Sequence, residues 1–392
     1  MTTSIFAQFP RLRRHAPLAT SHPTAGPRPG RWLYALLLGM GVLAMQSAGA
    51  NCRIAYDLGS SGIRAGSSDG GDNPKRELPA LTRLWAGDGI DAIGSDTAHT
   101  LRQLRAQLPL PANCAQLGAG YSAWRLAYQR DPAATVAALA AIRANSGVAI
   151  LIAPQDLEGR YGYAGARQLL GERLQSSHIL DLGGGSLQLA GAKGSYGDAL
   201  GQKAWQKALC AALRPGQPLP CTLVPLADAE LDRARALRDA KLAPLVGALP
   251  PPVTLTAISR PLSRGVLPAL QKLLATPPDA APEITRGELR AAIGRLAPLT
   301  AEAAATATGS PAGHLPYLLS DLLLVEGLLQ ATGAARLQVA EIDLSNVPGL
   351  LADPQAWRWQ EAAAYACYLH RLERDGPAAA YAGDPASCAA AR

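Results

Sequence analysis

The stretch that decides the fold is Ile179-Leu180-Asp181-Leu182-Gly183-Gly184-Gly185-Ser186-Leu187-Gln188-Leu189. An apolar lead-in, one acid, three glycines, a hydroxyl and an alternating apolar tail read as strand, tight turn, strand. Three successive glycines let the backbone take positive φ and bring its N–H groups close to a ligand. Ser186 adds a hydroxyl donor at the exit of the turn. Asp181, just before the glycines, is suited to hold a divalent cation, directly or through water. Taken alone, such a run is most often a plain hairpin or a linker.

The same grammar occurs earlier, at Ile54-Ala55-Tyr56-Asp57-Leu58-Gly59-Ser60-Ser61-Gly62-Ile63-Arg64-Ala65-Gly66. Asp57 and Asp181 stand 124 residues apart. Two copies of this pattern suggest two related halves facing one anion. Gly59, Ser60 and Ser61 would line it from one side, and Gly183, Gly184, Gly185 and Ser186 from the other. Neither copy is a Walker loop, because no Lys-Ser/Thr follows the glycines, and neither carries G-x-G-x-x-G.

The bulk numbers narrow the field. A chain of 392 residues is long enough for two domains with real cores. Its formal charge of +7 comes mostly from the leader, since residues 1–50 hold five arginines and no acid. Setting those five aside leaves 32 basic against 30 acidic residues, a charge of +2. There is no global basic field, so no nucleic-acid partner is expected. The six histidines are scattered, without ligand spacing.

The leader has its own pattern. A basic, Pro-rich region precedes an apolar run from Trp32 to Met45, which ends in Ala48-Gly49-Ala50. This reads as a secretory signal over 1–50, cleaved after Ala50, with a periplasmic or secreted product and no membrane association once cleaved. An uncleaved N-terminal anchor is the alternative, although the run is short for a span. Export gives the six cysteines meaning as disulfides. Six cysteines allow fifteen connectivities; Cys210 and Cys221 bracket a short Pro/Gly loop and are the nearest pair along the chain, and Cys52–Cys114 and Cys367–Cys388 are the other two pairs expected, one of three ways the remaining four could join.

Along the rest of the chain, Tyr121–Asn145 reads as one helix and Gly147–Ile152 as a buried strand by its continuous apolar run. Ala153–Ala166 opens a helix whose first turn holds Asp156 and Glu158, where the helix dipole suits acids; on pattern alone they are ordinary helix-start acids. A helix is expected over Tyr163–Arg173. Further helices are expected over 204–212, 226–242, 264–274, from Arg286, over 314–331 and over 353–374. Strands are expected at 253–258 and 337–342, and a loose tail over 377–392.

Three motifs in order, Asp57-Leu-Gly-Ser-Ser, Pro154-to-Tyr163 and Asp181-Leu-Gly-Gly-Gly-Ser, resemble the exopolyphosphatase/guanosine pentaphosphate phosphatase (Ppx/GppA) family of the actin-like superfamily. The resemblance covers roughly residues 52–365. It implies an α/β fold of two actin-like (ribonuclease H-like) domains with an interdomain phosphate-binding cleft. Their expected bounds are 51–154 and 155–352, with a helix at about 353–376 able to pack back on the first domain. Gln188 in GGGSxQ is closer to the apyrase-type ecto-nucleotidases, which share the motifs. Two loops depart from the family: Ile258-Ser259-Arg260-Pro261 replaces a glycine pair, and Val347-Pro348-Gly349 replaces Arg-Glu-Gly.

The activity implied is hydrolysis of phosphoanhydrides in polyphosphate or nucleoside polyphosphates, with Mg²⁺ or another divalent cation held through Asp57 and Asp181. Glu158 matches the family's catalytic glutamate by its place before Gly-Arg-Tyr-x-Tyr, with Asp156 the candidate if the register shifts. Ser186 and Gln188 would help to orient the attacking water. Arg64 and Arg160 could steer a polyanion or be plain solvated surface. An apyrase-like nucleotidase and a phosphate- or alarmone-binding protein without turnover are the alternative readings. The oligomeric state stays open, a homodimer included.

Overall fold

A computed structural model describes residues 52–71, 73–277 and 280–389. The expected signal over 1–50 lies outside the described residues.

Both quoted stretches are hairpins in the same register. Strands β1 (Arg53–Leu58) and β2 (Gly62–Ser67) pair antiparallel with Leu58 opposite Ile63 and Asp57 opposite Arg64. Downstream, β6 (His178–Leu182) and β7 (Leu187–Gly191) pair with Leu182 opposite Leu187 and Asp181 opposite Gln188. Ile54, Ala55, Tyr56 and Leu58 are fully buried, as are Ile179 and Leu180. Such strands are covered on both faces and read as apolar runs rather than as alternation.

Each hairpin seeds a sheet of one design. In the first, β3 (Lys75–Glu77) extends the hairpin antiparallel, while β4 (Ala115–Gly120) and β5 (Ala149–Ile152) add parallel to β1, giving the order β3-β2-β1-β4-β5. In the second, β8 (Gly194–Asp198) plays the part of β3, and β9 (Leu255–Ala257) and β11 (Arg336–Val339) those of β4 and β5. The second sheet adds an antiparallel edge strand, β10 (Glu283–Thr285). The chain therefore builds one topology twice, each time with helices packed on the sheet. Helix Leu315–Thr332 is buried along its whole middle, Leu318 through Leu329, in the second core.

Several elements differ from the sequence expectation. Strand β4 was not signalled, because Ala-Gln-Leu-Gly-Ala-Gly has little strand propensity. Its glycines make room for neighbours: a Cβ on Gly118 would lie 2.9 Å from Leu58 Cδ1, and one on Gly120 would lie 2.6 Å from the Trp124 ring. The single helix expected over 121–145 is two, Ser122–Arg130 and Pro132–Ser146; Asp131 breaks them and caps the second through Ala134 N–H. The helix start expected over 153–166 and the helix expected over Tyr163–Arg173 are one helix, Gln155–Leu170, with Glu158 in its first turn as expected.

The chain crosses back to the first half near Asn346, whose N–H reaches Asp57, and helix Val347–Ala352 packs on β1 and β2. The closing helix is interrupted, as Pro354–Trp357 and then Ala362–Asp375. The longer piece lies on the first sheet, with the Tyr365 and Tyr368 hydroxyls accepting from Ile150 N–H at 3.2 Å and Ile152 N–H at 2.8 Å. The tail expected to be loose instead holds helices Pro377–Ala382 and Ala386–Ala389. Buried Ala380, two hydrogen bonds from Gln355 to the Tyr381 and Gly383 carbonyls, and the Cys367–Cys388 bridge hold it. Cys52–Cys114 and Cys210–Cys221 are bridged as well, the three pairs expected.

Candidate active site

The two hairpin turns close alike. Gly59 N–H donates to Gly62 O and Gly183 N–H to Ser186 O, each at 2.9 Å. Their other carbonyls are tied off by whatever follows the hairpin. Ser60 O accepts from Leu81 N–H and Ser61 O from Leu78 N–H; Gly183 O accepts from Gln202 N–H and Gly184 O from Lys203 N–H. In a trans peptide the N–H points opposite to its carbonyl. Anchoring the Ser60 and Gly183 carbonyls therefore turns the N–H groups of Ser61 and Gly184 the other way. Neither donates to a protein group among the described residues, and both residues line a cleft of about 320 Å³ between the halves. The turns meet across it: a Cβ on Gly184 would fall 2.8 Å from Ser60 Oγ.

Asp57 and Asp181 line the same cleft. Burial pushes the Asp57 carboxyl up to about 6, opposed by the hydrogen bond from Asn346 N–H at 2.9 Å, while Glu158 adds to the rise. Burial, then Glu158 and Asp57, push Asp181 up to about 7. Three acids thus feel one another in poorly solvated space, an arrangement that a cation relieves. Among the described residues no three His, Cys, Asp or Glu side chains gather closely enough to cage a metal directly. Two carboxylates opening into a roomy polar cleft fit Mg²⁺, which keeps several of its waters.

Glu158, Ser186 and Gln188 lie beneath the turns rather than on the cleft wall, and all three are buried. Arg125 Nη2 donates to Glu158 Oε2 at 2.6 Å, to Gln155 Oε1 at 3.0 Å and to Ser186 Oγ at 3.2 Å. Gln188 Nε2 donates to Glu158 Oε2 at 3.0 Å. Gly185 also turns away from the cleft, packed against Leu81 and Ser122. Asp156 does not join this group; it is exposed and pairs with exposed Arg160 at 3.3 Å. Of the two candidate acids, only Glu158 reaches the second hairpin.

Arg64 is no solvated surface residue. Its guanidinium is buried and grips Asp343 with two bonds, 2.5 and 2.7 Å, and Arg260 reaches the same carboxylate at 3.1 Å. Arg125, Asn346 and Asp343 carry no motif of their own. The one local hint was an arginine set among Ala, Trp and Leu on a helix, where a cation must find a buried partner.

No family model and no curated protein matches the chain. Solved structures do. A Ppx/GppA enzyme of Aquifex aeolicus superposes with a TM-score of 0.55 at 15% identity, covering 77% of this chain and 99% of its own. An exopolyphosphatase from Cytophaga hutchinsonii superposes at 0.54 and 15% identity, covering 76% and 96%. At such identity the likeness is one of fold. The doubled strand order, the paired turns and these superpositions agree: the chain has the two-domain, actin-like α/β fold of the Ppx/GppA phosphatases.

Proposed function

We propose that this chain is an exported, Mg²⁺-dependent phosphoanhydride hydrolase that releases terminal phosphate from polyphosphate or nucleoside polyphosphates. The observation that carries the reading is the pair of equivalent turns, with N–H groups unspent on protein, around two acids of raised pKa. Its structural relatives include a protein described as an exopolyphosphatase. The Ser61 and Gly184 N–H groups and the Ser60 and Ser61 hydroxyls hold the terminal phosphate from both halves. Asp57 and Asp181 would hold the metal, which supplies charge neutralisation of the phosphate oxygens when bound. Glu158 takes the proton from the attacking water; Arg125 and Gln188 orient its carboxylate, and Ser186 Oγ accepts from Arg125. Three disulfides support an oxidising compartment, and no helix among the described residues is long and apolar enough to cross a membrane.

The competing reading is a phosphate binder without turnover. It draws on Glu158 Oε2 already accepting from both Arg125 and Gln188. Purified protein assayed for phosphate release from polyphosphate, ATP, ADP and guanosine pentaphosphate, with Mg²⁺ and with chelator, separates the two. Metal-dependent release from at least one substrate supports the hydrolase; binding of phosphate compounds with no release from any supports the binder.

A further inference from the structure

Beside Asp57 and Glu158 stands a hydroxyl that no motif announces. Tyr121 follows β4 directly and opens helix Ser122–Arg130. Its N–H donates to the Leu58 carbonyl at 3.2 Å, which seats it at the end of β1, next to Asp57. The residue is 1% exposed, yet its hydroxyl has no hydrogen-bond partner. Burial, then the charges of Asp57 and Glu158, push that hydroxyl well above its usual pKa against the pull of Arg125, so it keeps its proton. The acids around it are half spent. Both bonds to Glu158 fall on Oε2 and both bonds to Asp57 on Oδ2, which leaves Oε1 and Oδ1 without a protein donor among the described residues. Gln188 Oε1 and Asn346 Oδ1, on residues that donate to those two carboxylates, are likewise buried without partners. Amide oxygens only accept; Tyr121 is the one of the three that can donate. Tyr161, three residues after Glu158 on its helix, is also buried but spends its hydroxyl on Asp353 at 2.5 Å. A buried hydroxyl left unpaired is costly, and such groups collect where a ligand or a reaction supplies the partner.

We propose that Tyr121 is a further catalytic residue, whose hydroxyl donates to the attacking water and, with Glu158 Oε1, holds it in line behind the terminal phosphate. The proposal rests on the hydrolase reading and deepens it by naming the second group on the water. In-line displacement puts the water on the side away from the leaving chain. The leaving chain extends into the open cleft, so the water belongs beneath the turns, where Glu158 is buried. In the step, the water oxygen bonds to phosphorus as the bond to the leaving oxygen breaks, and that oxygen takes the electron pair. One water proton passes to Glu158 Oε1, and Tyr121 keeps its own. A loose transition state asks little nucleophilicity of the water, so fixing the direction of its lone pair outweighs the basicity that the hydrogen bond removes.

The test is steady-state kinetics of Tyr121→Phe in Mg²⁺, on whichever phosphoanhydride the unaltered protein hydrolyses fastest. Calorimetric titration with inorganic tripolyphosphate in chelator and denaturant unfolding accompany it. The ring stays and only the oxygen goes. The kcat is expected to fall about 10–10²-fold, with KM and tripolyphosphate affinity within about twofold. Stability should be equal or higher, since no protein hydrogen bond is lost. Tyr161→Phe is the control: it gives up the bond to Asp353, so it should lose stability and keep its kcat. A kcat for Tyr121→Phe within about twofold of the unaltered protein overturns the proposal and leaves the hydrolase reading standing. A loss of stability, a loss of tripolyphosphate affinity to match the fall in kcat, or an equal fall in kcat for Tyr161→Phe overturns it too and makes Tyr121 a core residue. Tripolyphosphate binding with no release of phosphate by the unaltered protein sinks the hydrolase reading, and the role of Tyr121 with it.

Discussion

The β1–β2 and β6–β7 hairpins share strand order, register and turn closure, yet their acids are housed differently. Asp57 accepts a hydrogen bond from Asn346 N–H and faces Arg64 across the ladder. Asp181 accepts none from a side chain or backbone N–H among the described residues, and faces Gln188. The position opposite the acid holds a cation in one half, aimed at the cleft rim, and an amide in the other, aimed at Glu158. One frame built twice sets two acids symmetrically, and the residue across the strand then decides what each half contributes. Under the proposed function the first hairpin would anchor the anion, and the second is joined to Glu158, the group that would accept the proton.

The sharpest way to break this division is Glu158→Gln. It should lower phosphate release on the order of 10²–10⁴-fold with binding retained. The change is not structurally silent, because the buried Arg125 loses its charged partner. A stability loss on the order of 3 kcal/mol, read by denaturant unfolding, should accompany it. Near-normal turnover would remove the second hairpin from the chemistry.

Gly201→Ala should come next. A Cβ there would lie 2.4 Å from Ser186 N and 2.5 Å from Gly183 O, backbone atoms that cannot swing aside. A cost of about 1–3 kcal/mol and a matching fall in activity are expected. Gly59→Ala, with its nearest neighbour at 3.4 Å, should do far less. Equal effects would show that the turns are equally buttressed.

A third comparison is made in chelator. The folded pKa of Asp181 is raised to about 7, so the folded state holds the proton more tightly than the unfolded chain, where it is near 3.9. That contribution to stability is complete below about pH 4 and is lost as pH rises through about 7. Metal-free protein should therefore melt lower at pH 8 than at pH 5. Asp181→Asn should raise the pH 8 midpoint by about 2–4 °C and flatten the profile; Asp57→Asn, from a folded pKa of about 6 and with a backbone donor to lose, should gain less. Identical profiles would make the two acids equivalent. The smallest effect belongs to Asp156→Asn, which breaks only an exposed pair and should change stability by less than about 1 kcal/mol and leave turnover intact.

Both hairpins were legible because an acid, glycines and hydroxyls at fixed offsets constrain a turn locally. The same holds for Glu158, whose motif sits at a strand-to-helix junction. What the pattern could not carry is contact at long range. Asn346 reaches Asp57 across 289 residues and Asp343 reaches Arg64 across 279, and neither has a local signature. Strand β4 escaped because its residues are small for their neighbours' sake, a matter of packing rather than propensity. Arg64 was legible as a cation but not as a buried one, since its burial depends on an acid from the far end of the chain.

Strand β5 is the outer edge of the first sheet, and an edge strand offers every second N–H and C=O to whatever chain comes near. Tyr365 and Tyr368 lie against it with rings stacked 5.8 Å apart, their hydroxyls taking Ile150 N–H and Ile152 N–H, and Tyr365 also donating to the Ile150 carbonyl. Two side chains from a helix thus stand in for a missing neighbour strand. A chain cut before Ala362 would lose them and leave Ala149–Ile152, four buried apolar residues, as an open docking edge. Such a fragment should self-associate, which light scattering of the shortened chain beside the full one would read.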